Sequence, residues 1–198
     1  MKRINNYANV RDFAPKEVQH IRWQTQLPRE EVSRLISAAI ISVQPNHRPQ
    51  PQIESQIVDW LCDNKGTSLL LYGLTGRGKT FYAQTIIPYM LKVLYNKNTH
   101  IYTAMGVQND NVVLRDALTW AICSVDDVGI EACSSFKDMA VLQILDRVDR
   151  QGKIAIFTTN LSGESIKERY GDRAYSRIVG NFTRILFDGD TDFRTIRN

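Results

Sequence analysis

The chain has 198 residues and a formal net charge of +4 at pH 7, from 25 Lys and Arg against 21 Asp and Glu. This length supports one sizeable hydrophobic core with a small appendage but not two full domains, and the modest basic excess permits a nucleic-acid partner without demonstrating one. The three cysteines lack CxxC spacing, the first residues lack an apolar signal core, and no segment has the roughly 18 apolar residues of a membrane span. We therefore expect a cytoplasmic protein with reduced thiols and no membrane partner.

The first predicted element is a helix over residues 28 to 43. It begins at a proline followed by an acidic first turn, and its apolar residues recur at helical spacing: Val32, Leu35, Ile36, Ala39, Ile40 and Val43. Residues 44 to 52 hold three of the six prolines, which remove backbone donors, so we predict a linker there. The chain thus divides into a helical segment with a Pro-rich linker, residues 1–50, and a larger unit, residues 51–198.

The apolar stripe on the first helix must be buried against something. Two possibilities remain open from the sequence. The helix can dock on a partner protein, which makes residues 1–50 a docking segment, or it can fold back on the larger unit of its own chain.

Beyond the linker, helices and strands alternate along the chain. We predict helices over residues 53–62, 80–95 and 134–150, and strands over residues 68–72, 100–105, 120–126, 153–158 and 181–187. Alternation with short connections is typical of an α/β fold in which helices flank a parallel sheet in three layers. Pro88 lies inside the helix 80–95, and we expect a kink there because the Gln84 carbonyl loses its normal partner.

A glycine-rich segment follows the first of these strands directly. Its sequence is Gly73-Leu74-Thr75-Gly76-Arg77-Gly78-Lys79-Thr80. A strand, this pattern and a helix start predict a P-loop, in which backbone N–H groups surround the phosphates of ATP or GTP, a lysine reaches the β- and γ-phosphates, and a Thr hydroxyl binds Mg²⁺. The residues predicted to bind the nucleotide are Gly73, Thr75, Gly76, Arg77, Gly78, Lys79, Thr80 and Phe81.

Two adjacent acids end the buried strand at residues 120–126. Open α/β sheets bind ligands at the carboxyl ends of their strands, so Asp126 and Asp127 are interpreted as a Walker B pair. Asp126, with Thr80, would hold Mg²⁺, and Asp127 would polarise the attacking water. The alternative is a capped strand end with two solvated acids.

One polar and three basic residues in the second half of the chain are further candidates for contact with phosphate. Asn160 ends the next strand, where its amide can bridge the γ-phosphate and a water molecule, although Asn is also a common turn former. Arg173 and Arg177 are four residues apart and so share a helical face. Arg194 follows the last strand, and arginines are the cations best suited to bidentate phosphate contact.

In order and spacing, these motifs resemble the DnaC-type helicase loaders of the AAA+ superfamily and their IstB transposition relatives. The resemblance runs from about Trp60 to Arg194 and is carried by residues 73–80, 125–130, 157–160, 170–177 and 192–194. It implies an AAA+ fold in which Asn160 is the sensor-1 residue. It further implies that Arg177 is an arginine finger for a neighbouring subunit's ATP and that Arg194 is a sensor-2 residue within its own subunit.

The resemblance also implies a DNA contact just after the Walker B pair. Ser134 and Phe136 occupy the positions that touch single-stranded DNA in the family. Phe136 would stack on a base, a contact worth about 1–3 kcal/mol. A core contact of Phe136 with the following helix is the alternative.

The function that follows from the resemblance is ATP-dependent loading of a replicative DNA helicase. The chain would form an ATP-dependent homo-oligomer, bind single-stranded DNA and hydrolyse ATP between subunits. Asp127 stands where most AAA+ proteins have Glu, which implies slow hydrolysis, and only four residues follow Arg194, which implies a minimal C-terminal lid. Three alternatives stay open: an IstB-like transposition ATPase on duplex DNA, a nucleotide-gated interaction module with negligible turnover, and a small-molecule kinase.

Overall fold

The computed structural model describes residues 18–131 and 139–188. Its centre is a five-stranded sheet in the order β2-β3-β4-β1-β5, with every neighbouring pair parallel. The strands are β1 (Ser68–Gly73), β2 (His100–Thr103), β3 (Ile122–Val128), β4 (Ile154–Thr159) and β5 (Phe182–Phe187). The helices are α1 (Arg29–Val43), α2 (Pro51–Cys62), α3, α4 (Ala104–Asn109), α5 (Asn111–Thr119), α6 (Ala140–Gln151) and α7 (Gly163–Asn181). Helix α3 consists of Lys79–Phe81, a π-helical turn at Tyr82–Ile86, and Ile87–Tyr95.

Helices cover both faces of the sheet. Successive side chains of a strand point to opposite faces, and in β1 Leu69 and Leu71 pack with α1, α2 and α3, whereas Leu70 packs with α4 to α7. This arrangement confirms the predicted three-layer α/β fold. Among the described residues, no helix has the length and apolar character needed to cross a membrane.

The apolar stripe of α1 is buried in the core of its own chain. Val32, Ile36 and Ile40 are each at most 2% exposed and belong to the same cluster as Ile57 and Leu61 of α2. Arg29 Nε also donates to a carboxylate oxygen of α2, at 2.6 Å. The structure therefore corrects the docking alternative for the stripe up to Ile40, which α2 and α3 cover, whereas Val43 at the end of α1 is 57% exposed. Residues 44–50 connect two helices of one folded unit.

Two helices, α4 and α5, occupy a region where the sequence predicts none. Each is fixed by an N-cap: Thr103 Oγ1 accepts from the Gly106 N–H, and the Asp110 carboxylate accepts from the Val112 N–H at 2.7 Å. The caps end β2 at Thr103, two residues before the predicted end, and separate two helices that are too short to show a clear period. Helix α6 begins at Ala140, and residues 134–138 of the predicted helix lie outside the described residues.

Pro88 lies just after a π-helical turn of α3. In the π-helical turn, the Ile87 N–H bonds to the Tyr82 carbonyl, five residues back. The Ala83 carbonyl is thereby left over, since the residue five positions after it is Pro88, which has no N–H. Ser124 of β3 supplies the missing donor, with Oγ 3.0 Å from the Ala83 carbonyl oxygen.

Candidate nucleotide site

The glycine-rich loop adopts a backbone conformation that favours glycine at three of its positions, of which Gly73 and Gly78 are the most extreme. Gly73, at the end of β1, has φ +125°, and a Cβ there would lie 2.4 Å from the Phe187 carbonyl oxygen. Gly78 has φ +92° and occupies the N-cap of α3. The loop thus lies tightly against the neighbouring strand β5, and the N-terminus of α3 follows it. This arrangement leaves backbone N–H groups available for phosphate oxygens.

Buried nitrogen atoms belong to both cationic side chains of the loop. Lys79 is 5% exposed, and its Nζ donates to the carbonyl oxygens of Gly73 at 2.9 Å and Leu74 at 2.7 Å. The Nε and Nη1 atoms of Arg77 are buried without a hydrogen-bond partner. An uncompensated buried guanidinium is costly, so a phosphate anion fits this loop.

The base of the P-loop contacts the segment between α1 and α2. Gln50 Nε2 donates to the Arg77 carbonyl oxygen at 3.4 Å, and the His47 ring lies 5.7 Å from the Phe81 ring. Phe81 is half-buried and Thr75 is exposed. The interhelix segment thus forms one wall beside the predicted nucleotide-binding residues.

Thr80 and Asp126 come together as the sequence predicts. Thr80 Oγ1 lies 3.0 and 3.1 Å from the two carboxylate oxygens of Asp126, which is 7% exposed. A hydroxyl and a carboxylate in contact provide the hard oxygen donors that suit Mg²⁺ in a site completed by phosphates and water. Within the described ranges, no group of three or more His, Cys, Asp or Glu is placed to hold a metal ion without such help.

Thr158 is a site residue that the sequence did not reveal. Its hydroxyl donates to Asp126 Oδ1 at 2.5 Å and accepts from the Asp127 N–H at 2.8 Å. The side chain is fully buried on β4, the neighbour of β3. One threonine therefore fixes both predicted Walker B positions, and the only sequence signal was its place two residues before Asn160.

Asp127 has an unusual backbone conformation. Its φ is +56°, in the left-handed region, and the β3–β4 register shifts between Val125 and Val128. Such a conformation costs about 1–3 kcal/mol in a non-glycine residue and is concentrated at functional sites. The half-buried Asp127 lies near the carboxyl end of β3, and the exposed Asn160 directly follows β4. Because these two strands are parallel neighbours, both residues occupy the carboxyl edge of the sheet.

A buried carboxylate follows β3. Glu131 is 1% exposed; it accepts from the Gly129 N–H at 2.8 Å and from the Tyr170 hydroxyl, and Arg169 Nε lies 3.8 Å away. Burial and the contact with this carboxylate raise the pKa of Tyr170. Glu131 thereby links the loop after Asp127 to helix α7, a long-range contact without a sequence signal.

Arg173 and Arg177 of α7 differ in their surroundings. Helix α7 breaks at Gly171, where φ is +82°, and both arginines follow the break. The Arg177 guanidinium lies 2.8 Å from Asp146 and 3.1 Å from Asp149 on α6, and its side chain is 14% exposed. Arg173, one turn earlier, is exposed.

Three predicted site residues fall outside the described part of the chain. These are Ser134 and Phe136, predicted to contact DNA, and Arg194, predicted as sensor 2. Their roles remain predictions.

Comparison with known proteins identifies the type of fold. No family model matches the chain. Among solved structures, it is similar to the DnaC helicase loader, with a TM-score of 0.63 and 18% identity over 74% of this chain and 96% of that one. It is also similar to DnaI, with a TM-score of 0.59 and 20% identity over 85% of this chain and 95% of that one.

A third similar structure is the replication initiator DnaA bound to AMPPCP and single-stranded DNA. The TM-score is 0.58 at 14% identity, over 79% of this chain and 52% of that one. The chain thus spans about half the length of DnaA. Together these similarities show that the chain shares its fold with the DnaC helicase loader, DnaI and DnaA, as the resemblance implied.

Proposed function

We propose that this protein is an ATP-hydrolysing, DnaC-like loader of a replicative DNA helicase. The contact between Thr80 and Asp126, 3.0 Å apart beside the P-loop, is the observation that carries the ATP-binding part of this proposal. The pair stands where Mg²⁺ would join the nucleotide to the Walker B strand.

The chemical step is assigned to residues at the carboxyl edge of the sheet. Asp127 orients the attacking water and Asn160 contacts the γ-phosphate, while Lys79 exchanges its two backbone acceptors for phosphate oxygens. A bound Mg²⁺ would neutralise charge on the β- and γ-phosphates. The left-handed backbone of Asp127 supports this assignment, since such conformations are concentrated at functional sites.

The site is completed between copies of the chain, by an arginine of α7. The resemblance assigns this role to Arg177, and within a single copy that residue is held by two carboxylates. Single-stranded DNA is proposed to bind near Ser134 and Phe136, next to the Walker B strand, and DnaA is a protein of similar fold with single-stranded DNA in its structure. Arg194 is proposed to contact nucleotide within its own copy.

A binding and loading assay tests the proposal. The protein is mixed with a labelled single strand or the matching duplex, with and without ATP and Mg²⁺, and with the replicative helicase of the same organism and a circular single strand. We expect ATP-dependent binding that favours the single strand, weakens with salt, and accompanies deposition of the helicase on the circle. Lys79→Ala should show no ATP-dependent binding to either DNA and no deposition of the helicase.

Other outcomes would replace the proposal. A stronger affinity for duplex would favour the IstB-like transposition ATPase. ATP binding without turnover, with or without DNA, would instead favour a nucleotide-gated interaction module.

A further inference from the structure

A cavity of about 480 Å³ lies between the end of α5 and helices α6 and α7. Its volume is in the range of small-molecule sites, about 300–1,000 Å³. The P-loop, residues 73–81, contributes nothing to its lining, so the cavity is separate from that loop. The lining includes three arginines, an amide and two leucines: Arg147, Arg173, Arg177, Gln143, Leu118 and Leu142.

One of the three arginines already has anionic partners. Arg177 lies 2.8 Å from Asp146 and 3.1 Å from Asp149, both on α6. These contacts balance the charge of Arg177 within one copy of the chain and join α6 to α7. The capacity of the cavity to bind an anion therefore has to come from Arg147 and Arg173.

Arg147 and Arg173 have no carboxylate partner within residues 18–131 and 139–188. Arg147 Nη2 donates to the Leu118 carbonyl oxygen, but its Nε is buried without a hydrogen-bond partner. Arg173 is exposed, and no hydrogen bond or ion pair joins it to the rest of the described chain. A buried donor without a partner is costly, so the cavity holds a positive charge that a ligand can neutralise.

A further cation lies beside Arg147. Lys153 Nζ donates to the Leu118 carbonyl oxygen at 3.2 Å, and the same oxygen accepts from Arg147. Burial and, after it, the charge of Arg147 lower the pKa of Lys153. Two cations that share one neutral acceptor repel each other, and an anion close to them would relieve this repulsion.

We propose that this cavity binds a small organic phosphate, with Arg147 and Arg173 on the phosphate and with Leu118 and Leu142 against the body of the ligand. Planar guanidinium groups bind phosphate oxygens in a bidentate manner, and two of them match the double charge of a phosphomonoester. The apolar part of the lining favours an organic ligand over inorganic phosphate. The site is additional to the ATP site of the proposed function and does not depend on it.

The size of the cavity favours a small molecule over a nucleic-acid strand. A strand needs a positively charged groove that follows its backbone over several nucleotides, whereas this cavity is confined to the ends and faces of three helices. Nucleoside monophosphates and sugar or glycerol phosphates share the required chemistry, and the probes below distinguish them.

Calorimetric titration and the shift in Tm test the site. The probes are AMP, glycerol 3-phosphate, inorganic phosphate and, as the ligand without phosphate, adenosine. Wild type and Lys79→Ala are both titrated, because binding at the P-loop depends on Lys79 and binding in the cavity does not. We expect one organic phosphate per chain in both proteins, tighter than inorganic phosphate, with no binding of adenosine and a Tm that rises with saturation.

Two arginine variants place the binding in the cavity. Arg173→Ala should weaken binding of the organic phosphate about 10- to 100-fold, the effect of lost charge-assisted hydrogen bonds, with the Tm of the free protein unchanged. Arg147→Ala should weaken it to a similar extent, and its Tm reports the lost bond to Leu118. Arg115→Ala, which removes an exposed arginine of α5 outside the lining, is the matched control and should bind as the wild type.

Several results would overturn the proposal. These are no binding of either organic phosphate, equal affinity for AMP and adenosine, equal affinity for organic and inorganic phosphate, and binding that survives Arg173→Ala but is lost in Lys79→Ala. Loss of affinity for a single strand in the arginine variants, without binding of a small phosphate, would make the cavity a nucleic-acid contact instead. The titrations do not involve ATP turnover or helicase loading, so a failure of the proposed function is a separate result.

Discussion

At the scale of single residues, the candidate site depends on side chains that connect the two predicted Walker B positions to the rest of the sheet. Thr158 donates to Asp126 and accepts from the Asp127 backbone, which makes it a support for both. Its methyl and hydroxyl groups are fully buried. Loss of the hydroxyl alone would leave a buried carboxylate oxygen and a buried N–H without this partner.

Replacement of Thr158 by Val tests this support, because the side chain keeps its shape and loses only the hydroxyl. We expect a decrease of about 1–3 kcal/mol in the free energy of unfolding, the cost of unsatisfied buried groups, and a decrease in kcat for ATP. Thr158→Ser should retain most of both. Thr119→Val, at an exposed position, is the control, and an equal loss there would show that the effect is not specific to the site.

Glu54 offers a test by pH. Burial raises the pKa of its carboxyl, but hydrogen bonds from His47, the Gln50 N–H and the Tyr82 hydroxyl outweigh burial, so the pKa lies below its ordinary value. The fold therefore favours the ionised form. Its contribution to stability is present above the ordinary pKa and is lost as the pH falls through the lowered pKa.

Glu54→Gln should accordingly destabilise the protein more at pH 7 than at pH 3. Urea unfolding at both pH values measures the difference, with the exposed Glu168→Gln as the control. A destabilisation that is the same at both pH values would contradict the ionised network.

At the scale of elements, helix α3 is adapted to a proline within it. The π-helical turn moves the unpaired carbonyl to Ala83, and Ser124, which is fully buried on β3, donates to it. Ser124 thus ties α3 to β3.

Ser124→Ala should therefore cost about 1–3 kcal/mol in the free energy of unfolding. The same change in a Pro88→Ala background should cost less, because residue 88 then has an N–H for the Ala83 carbonyl. Chemical unfolding of the four proteins in this cycle measures the coupling, and equal costs in both backgrounds would contradict it.

A second test at this scale asks whether helix α1 is part of the hydrophobic core. Ile36 is 1% exposed in the core, whereas Ile41 on the same helix is 60% exposed. Ile36→Ala should destabilise the protein by about 2–5 kcal/mol, and Ile41→Ala should change stability by less than about 0.5 kcal/mol. Similar small effects at both positions would mean that α1 is not part of the core.

At the scale of the whole molecule, the sequence predicted the layers, which the structure confirms, and the candidate nucleotide site, because both depend on local signals. Hydrophobic runs, glycine positions and acids at a strand end mark the sheet, the P-loop and Asp126. Thr158 and Glu131 act through contacts between distant segments, which leave no periodic signal. The burial of α1 and the ion pairs between Arg177 and α6 likewise depend on which surfaces meet after folding.

Measurement of bound and hydrolysed ATP in the same single-turnover experiment tests most directly whether this fold is a working ATPase. With Mg²⁺, the wild type should bind and hydrolyse ATP, Lys79→Ala should bind none, and Asp127→Asn should bind ATP and leave it intact. ATP binding by Lys79→Ala at the wild-type affinity would contradict the assignment of the nucleotide site.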